Sequence, residues 1–139
     1  MYGFDTWKED NNFIKTIALL KQIPGIKTAL FSRLGPGTKL TPHQGWASLA
    51  NIVLRCHLGI SIPDDGKGGV TVENEFHQIE KGKWLVFDDS KMHTGSNEGS
   101  TDKIILLVDI ERPEWIAKGK SKVRDTQELK SFIEAMKKK

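Results

Sequence analysis

A single cysteine, Cys56, stands in 139 residues, so the chain can form no internal disulfide and no cysteine-rich zinc site. No stretch approaches the ~18 consecutive apolar residues of a membrane-spanning helix. The opening Met1-Tyr2-Gly3-Phe4-Asp5 is not a charged leader followed by an apolar run, so a soluble cytoplasmic protein is expected. There is no Gly-x-Ser-x-Gly elbow, no glycine-lysine phosphate loop and no dinucleotide fingerprint, and Gly35-x-Gly37 lies in a turn with no helix after it. Arginine is scarce among the 21 basic residues, and the net charge of +3 is unevenly placed. Residues 118–139 hold eight basic and three acidic residues, leaving thirteen basic against fifteen acidic in the rest. A slightly acidic body with a lysine-rich tail is not a groove that tracks a phosphate backbone, so nucleic acid is not the expected partner.

What is present fits one domain with one core. Asp10-Asn11-Asn12 offers N-cap residues to an amphipathic helix over 10–22, with Phe13, Ile17, Leu20 and Ile23 near helical spacing and Pro24-Gly25 as its stop. From Lys27 to Ile110 the pattern changes to short apolar runs separated by Gly, Pro and Asp: Ala29–Leu34, Ala50–Ile60, Gly69–Glu75, Lys83–Asp88 and Lys103–Ile110. This spacing predicts an all-β sandwich or barrel. A second helix is expected near 125–136, with Asp125 and Glu128 as a capping box and Leu129, Phe132, Ile133 and Met136 toward the outside of the sheet.

The run 50–60 carries the most information. Strand alternation puts Asn51, Val53, Arg55 and His57 on one face and Ile52, Leu54, Cys56 and Leu58 on the other. An inward face bearing Arg and His must line a hydrated cavity, meet a bound anion or form a buried polar network, because unpartnered burial costs several kcal/mol. Cys56, on the other face, reads as core. His43, in Pro42-His43-Gln44-Gly45, and His93, after Phe87-Asp88-Asp89-Ser90, fall where loops are expected at strand ends. Two histidines so placed suggest metal ligands, and neutral imidazoles suit Fe, Zn, Cu or Ni. His77 reads as solvated. Adjacent carboxylates at Asp64-Asp65 and Asp88-Asp89 point to opposite faces and make no acid/base dyad.

The blocks Pro42-His43-Gln44-Gly45, Asn51 to Gly59, Lys83 to Ser90 with His93, and Leu107-Val108-Asp109 to Pro113 together resemble the aspartyl/asparaginyl β-hydroxylase family over about residues 28–115. That resemblance implies a double-stranded β-helix, or jelly roll, over 28–115, with 116–139 as a basic helical tail. It implies an Fe(II)- and 2-oxoglutarate-dependent oxygenase that consumes O2. His43 and His93 would be the iron ligands. The carboxylate that most such oxygenases carry two residues after the first histidine is replaced by Gly45, and Asp89 would instead hydrogen-bond a water on the metal. Arg55, His57 and Ser32 match residues that contact the cosubstrate. Lys103 stands where the family has an arginine for the distal carboxylate, which keeps the charge and loses the bidentate fork.

Val53 stands where members that modify acidic side chains use a substrate-contacting arginine, and no N-terminal repeat region or membrane anchor is expected. The implied reaction is hydroxylation of an amino acid, a peptide, a lipid-linked acyl chain or a small metabolite. Two rivals remain: a halogenase, in which Gly45 admits a halide to the metal, and a sensor that binds metal or 2-oxoglutarate without turnover, suggested by Lys103.

Overall fold

The computed structural model describes residues 2–3 and 6–137. Two short strands, β1 (Tyr2–Gly3) and β2 (Thr6–Trp7), precede a 3-10 turn at Asn11–Phe13 that runs into α1 (Ile14–Leu20). Asp10 caps this start by accepting from Asn12 N at 2.8 Å, as its residue type predicts. The chain turns at Gly25, whose φ of +70° suits glycine. It then builds β3 (Ile26–Leu34), β4 (Thr38–Lys39), α2 (Ala47–Ala50), β5 (Val53–Ser61), β6 (Gly68–Val72), β7 (Glu75–Gln78), β8 (Trp84–Phe87), β9 (His93–Asn97), β10 (Lys103–Glu111) and α3 (Gln127–Lys137).

The strands form two antiparallel sheets, ordered β2-β1-β3-β10-β5-β8 and β4-β9-β6-β7. This is the expected all-β jelly roll. The inner core joins the two sheets: Val70 and Ile79 pack with Phe87 and Ile105, bordered by Leu85 and Leu107. The outer face of the large sheet has its own core, where Leu20 of α1 covers Ala29, Cys56, Leu106 and Val108. Strand alternation places Cys56 and Leu58 under α1, and Arg55 and His57 between the sheets opposite Asp109 and Leu107. Among the described residues no helix is long and apolar enough to cross a membrane.

Some expected boundaries shift. Ala50 ends α2 and the strand begins at Val53, so Asn51 belongs to the turn and not to an inward strand face. Its amide instead holds Ser121, donating to the Ser121 carbonyl at 3.0 Å and accepting from Ser121 N at 2.8 Å. The run Gly69–Glu75 breaks into a hairpin because Glu73 and Asn74 take φ of 46° and 70° between paired Val72 and Glu75. Both residues at positive φ is the turn geometry that matches strand twist, here made without glycine. His93 opens β9 and is not in a loop. His77, expected in solvent, is half-buried in β7. α3 lies beside β1 and β2. The side chains of Leu129, Phe132, Ile133 and Met136 lie outside the described residues.

Candidate metal and cosubstrate site

His43 and His93 face each other across a single antiparallel bridge, each backbone N–H donating to the other's carbonyl at 2.9 Å. The two rings are thereby held with centroids 4.5 Å apart. Each Nδ1 lies 2.8 Å from a carbonyl two residues earlier, Thr41 O for His43 and Lys91 O for His93. A carbonyl only accepts, so each Nδ1 carries a proton and Nε2 is the ring nitrogen left for another partner. Orientation by a carbonyl behind the ring is how metal-binding imidazoles are fixed. Among the described residues no group of three His, Cys, Asp or Glu side chains is arranged to hold a metal.

The space where a third ligand would start is filled from another direction. A Cβ on Gly45 would stand 2.1 Å from Asp89 Oδ2, so the Asp89 carboxylate occupies the volume that a side chain at 45 would need. Asp89 is 2% exposed, with Oδ1 3.1 Å from His93 Nε2 and 3.0 Å from Arg55 Nη1. Neither contact is aligned as a hydrogen bond, which leaves Oδ1 a buried oxygen without a donor. Burial raises the Asp89 pKa, but contact with His93 and the charge of Arg55 outweigh it and hold the carboxyl below the usual range.

Arg55 reaches across to β10, where Nε and Nη2 meet Asp109 Oδ1 and Oδ2 at 2.8 and 3.0 Å. The bidentate pair is possible because the two residues are direct partners in the ladder. His57, two pairs further along on the same face, is edge-on to Phe87 with centroids 5.0 Å apart, and both ring nitrogens are buried without hydrogen bonds. Burial, with the nearby charges of Arg55 and Lys103, lowers its pKa to about 3, so the ring is neutral.

Lys103 lies at the far end of the same face and is 4% exposed, not solvated at a strand start. Its Nζ donates to Ser96 O at 3.0 Å and Gly69 O at 3.3 Å. No carboxylate pairs with it among the described residues, and burial lowers its pKa to about 8. Ser32 sits half-buried on β3, opposite Ile105 and one inward position from the Leu34–Lys103 pair. The structure thus brings His43, His93, Asp89, Arg55 and His57 together, with Lys103 and Ser32 further along one inner face.

Several residues at this site carried a weaker signal. Asp109, fully buried, was legible only as an acid inside an otherwise apolar strand. Arg112, just past β10, holds Asp88 through Nη2–Oδ1 at 2.5 Å and also donates to Val53 O and Ala50 O. Ser121 donates to Gly45 O at 2.5 Å from 76 positions away, a contact with no local pattern.

A family model described as aspartyl/asparaginyl beta-hydroxylase matches residues 1–113. The chain belongs to the aspartyl/asparaginyl β-hydroxylase family. It is 36% identical over 118 residues to an ornithine lipid ester-linked acyl 2-hydroxylase of Rhizobium tropici, covering 81% of this chain and 40% of that protein. It is 37% identical over 105 residues to the human aspartyl/asparaginyl beta-hydroxylase, covering 72% of this chain and 13% of that one. The chain therefore spans less than half the length of either relative. Among solved structures, a cupin protein from Bacteroides fragilis aligns with a TM-score of 0.50 at 14% identity, over 75% of this chain and 80% of that one. A non-heme monooxygenase in complex with nickel also scores 0.50, at 12% identity over 80% and 62%. At these identities the likeness speaks for the fold alone. On this jelly-roll frame the chain places His43, His93, Asp89, Arg55 and His57 side by side.

Proposed function

We propose that the protein is an Fe(II)- and 2-oxoglutarate-dependent oxygenase that hydroxylates an unactivated C–H bond of an amino acid, peptide, acyl chain or related small substrate. The observation that carries this reading is the donor set. Two imidazoles fixed through Nδ1, with ring centroids 4.5 Å apart, leave Nε2 as the nitrogen available to a metal, and His93 Nε2 lies beside the buried Asp89 Oδ1 that lacks a hydrogen-bond donor. Iron with bound 2-oxoglutarate and O2 supplies the oxidising power, one oxygen atom entering the C–H bond while 2-oxoglutarate becomes succinate and CO2.

The protein's own residues perform the rest. His43 and His93 would hold the metal and bring no negative charge to it, so neutralisation would fall to the cosubstrate's carboxylates. Asp89 would offer its free Oδ1 as an acceptor to a water at the site and so hold that water in place. The neutral His57 has both nitrogens free to hydrogen-bond the cosubstrate. Lys103, a buried cation with only carbonyl acceptors, gains in the distal carboxylate the counter-charge it lacks, and Ser32 adds a hydroxyl on the same face. Arg55, locked by Asp109, contributes charge and holds Asp89 in place.

The same geometry disfavours the halogenase reading. A halide in the volume left by a missing side chain at 45 would meet the Asp89 carboxylate, a like charge. Anaerobic Fe(II) and 2-oxoglutarate should give a visible charge-transfer band, and O2 should then give succinate, stimulated by the primary substrate. His93→Ala should lose both; full iron affinity and turnover in that variant would overturn the ligand assignment. Binding without succinate across all substrate classes would instead support a sensor.

A further inference from the structure

Beside the metal site lies a second cleft of about 400 Å³ whose chemistry the reaction above does not use. One wall is the backbone that follows the two key residues: Gln44, next to His43, donates its side-chain amide to the carbonyl of Ser90, next to Asp89, at 3.1 Å. The other wall is residues 116–120, a strap returned to the site by four bonds. Gly119 N donates to Asn51 O at 2.9 Å, the Asn51 amide holds both N and O of Ser121, and Ser121 Oγ holds Gly45 O. The approach is close enough that a Cβ on Gly119 would stand 2.3 Å from Ser90 Oγ.

The charges in this cleft do not cancel. Arg112 is paired with Asp88, and Lys91 lies 3.6 Å from Glu73, which accounts for both acids. Lys118 and Lys120 also line the cleft and have no ion-pair partner among the described residues. Two uncompensated ammonium groups, held on a pinned strap beside the metal ligands, form a local positive field. Val53, which stands where members that modify acidic side chains use a substrate-contacting arginine, is fully buried, and its carbonyl accepts from Arg112 Nε at 2.9 Å.

We infer that this cleft is the recognition subsite for an anionic group on the primary substrate, a carboxylate or phosphate, with Lys118 and Lys120 as its cations. The inference rests on the catalytic reading of the adjoining site for its meaning as a substrate subsite, yet its binding chemistry needs neither iron nor 2-oxoglutarate. The substrate is then an acid or a phosphate-bearing molecule.

The test is an amide chemical-shift titration of the metal-free full chain at constant ionic strength, with inorganic phosphate in one arm and acetate in the other. Saturable shifts at Lys118, Gly119, Lys120 and Ser90 are expected, and the tighter anion names the source. Lys118→Ala/Lys120→Ala should weaken binding at least tenfold, while Lys118→Arg/Lys120→Arg should stay within about threefold and Lys8→Ala/Lys15→Ala should change nothing. Unchanged affinity in the alanine pair, no saturable shift at these amides, or equal binding of a neutral probe such as acetamide overturns the subsite. Because no metal is present, that failure is distinct from loss of succinate formation, which bears only on the oxygenase reading.

Discussion

At the level of single residues, the site turns on a steric exclusion between two positions 44 apart in sequence. With Asp89 Oδ2 where a Cβ at 45 would be, and Ala50 Cβ 2.8 Å from that same point, even one methyl at 45 displaces the carboxylate. Gly45→Ala should cost about 1–3 kcal/mol by overpacking and lower Fe(II) affinity. The double variant Gly45→Ala/Asp89→Gly should recover part of the stability, the contact with Ala50 Cβ remaining, and none of the affinity. A urea titration with a parallel metal titration reads both, and strict additivity of the two stabilities would rule out the shared space. Lys103 makes a second case. A buried ammonium without a counter-charge opposes folding, so Lys103→Met should stabilise the metal-free protein by about 1–2 kcal/mol while weakening 2-oxoglutarate at least tenfold. Simultaneous loss of stability and retention of affinity would show that the two carbonyls satisfy it fully.

Elements decide which of these contacts could be foreseen. Period-two alternation along β5 was enough to separate Arg55 and His57 from Cys56 and Leu58, and both faces are where alternation put them. The turn chemistry at Pro24-Gly25 and the cap at Asp10 were equally local and equally readable. β1, β2 and β4 were not, because two residues carry no period, and Glu73-Asn74 hid a hairpin by taking positive φ without glycine. Of the site, the histidines and the inward cation were legible, whereas Asp109 and Ser121 depend on pairings across 54 and 76 positions. The β5–β10 pair gives the energetic counterpart. Asp109→Ala leaves Arg55 buried without its bidentate partner and should cost about 3–5 kcal/mol. Arg55→Leu/Asp109→Leu should lose less than Asp109→Ala alone, measured by denaturant midpoint at constant slope.

Over the whole molecule, three buried groups on one inner face make stability depend on pH in the same direction. His57 ordinarily titrates at 6.5 and in the fold at about 3, so between those values the unfolded chain binds more protons and stability falls as pH falls. Asp89, held below 3.8, adds a further loss at the acid end. Lys103 is lowered from 10.5 to about 8, so above pH 8 the unfolded chain again holds more protons and stability rises with pH. Cys56 opposes this above 9, because burial raises its thiol to about 11 and the unfolded chain ionises first. The metal-free protein should therefore show a stability plateau between 6.5 and 8, a decline below it, a rise from 8 to 9 and a flattening beyond. His57→Leu should remove most of the decline between 6.5 and 4, and Lys103→Met the rise from 8 to 9. An anion bound against Lys103 favours its charged form, so saturating 2-oxoglutarate with a redox-inert divalent metal should abolish that rise in the unmodified chain. If the rise persists with the cosubstrate bound but disappears in Lys103→Met, the lysine titrates as described and the distal carboxylate is held elsewhere.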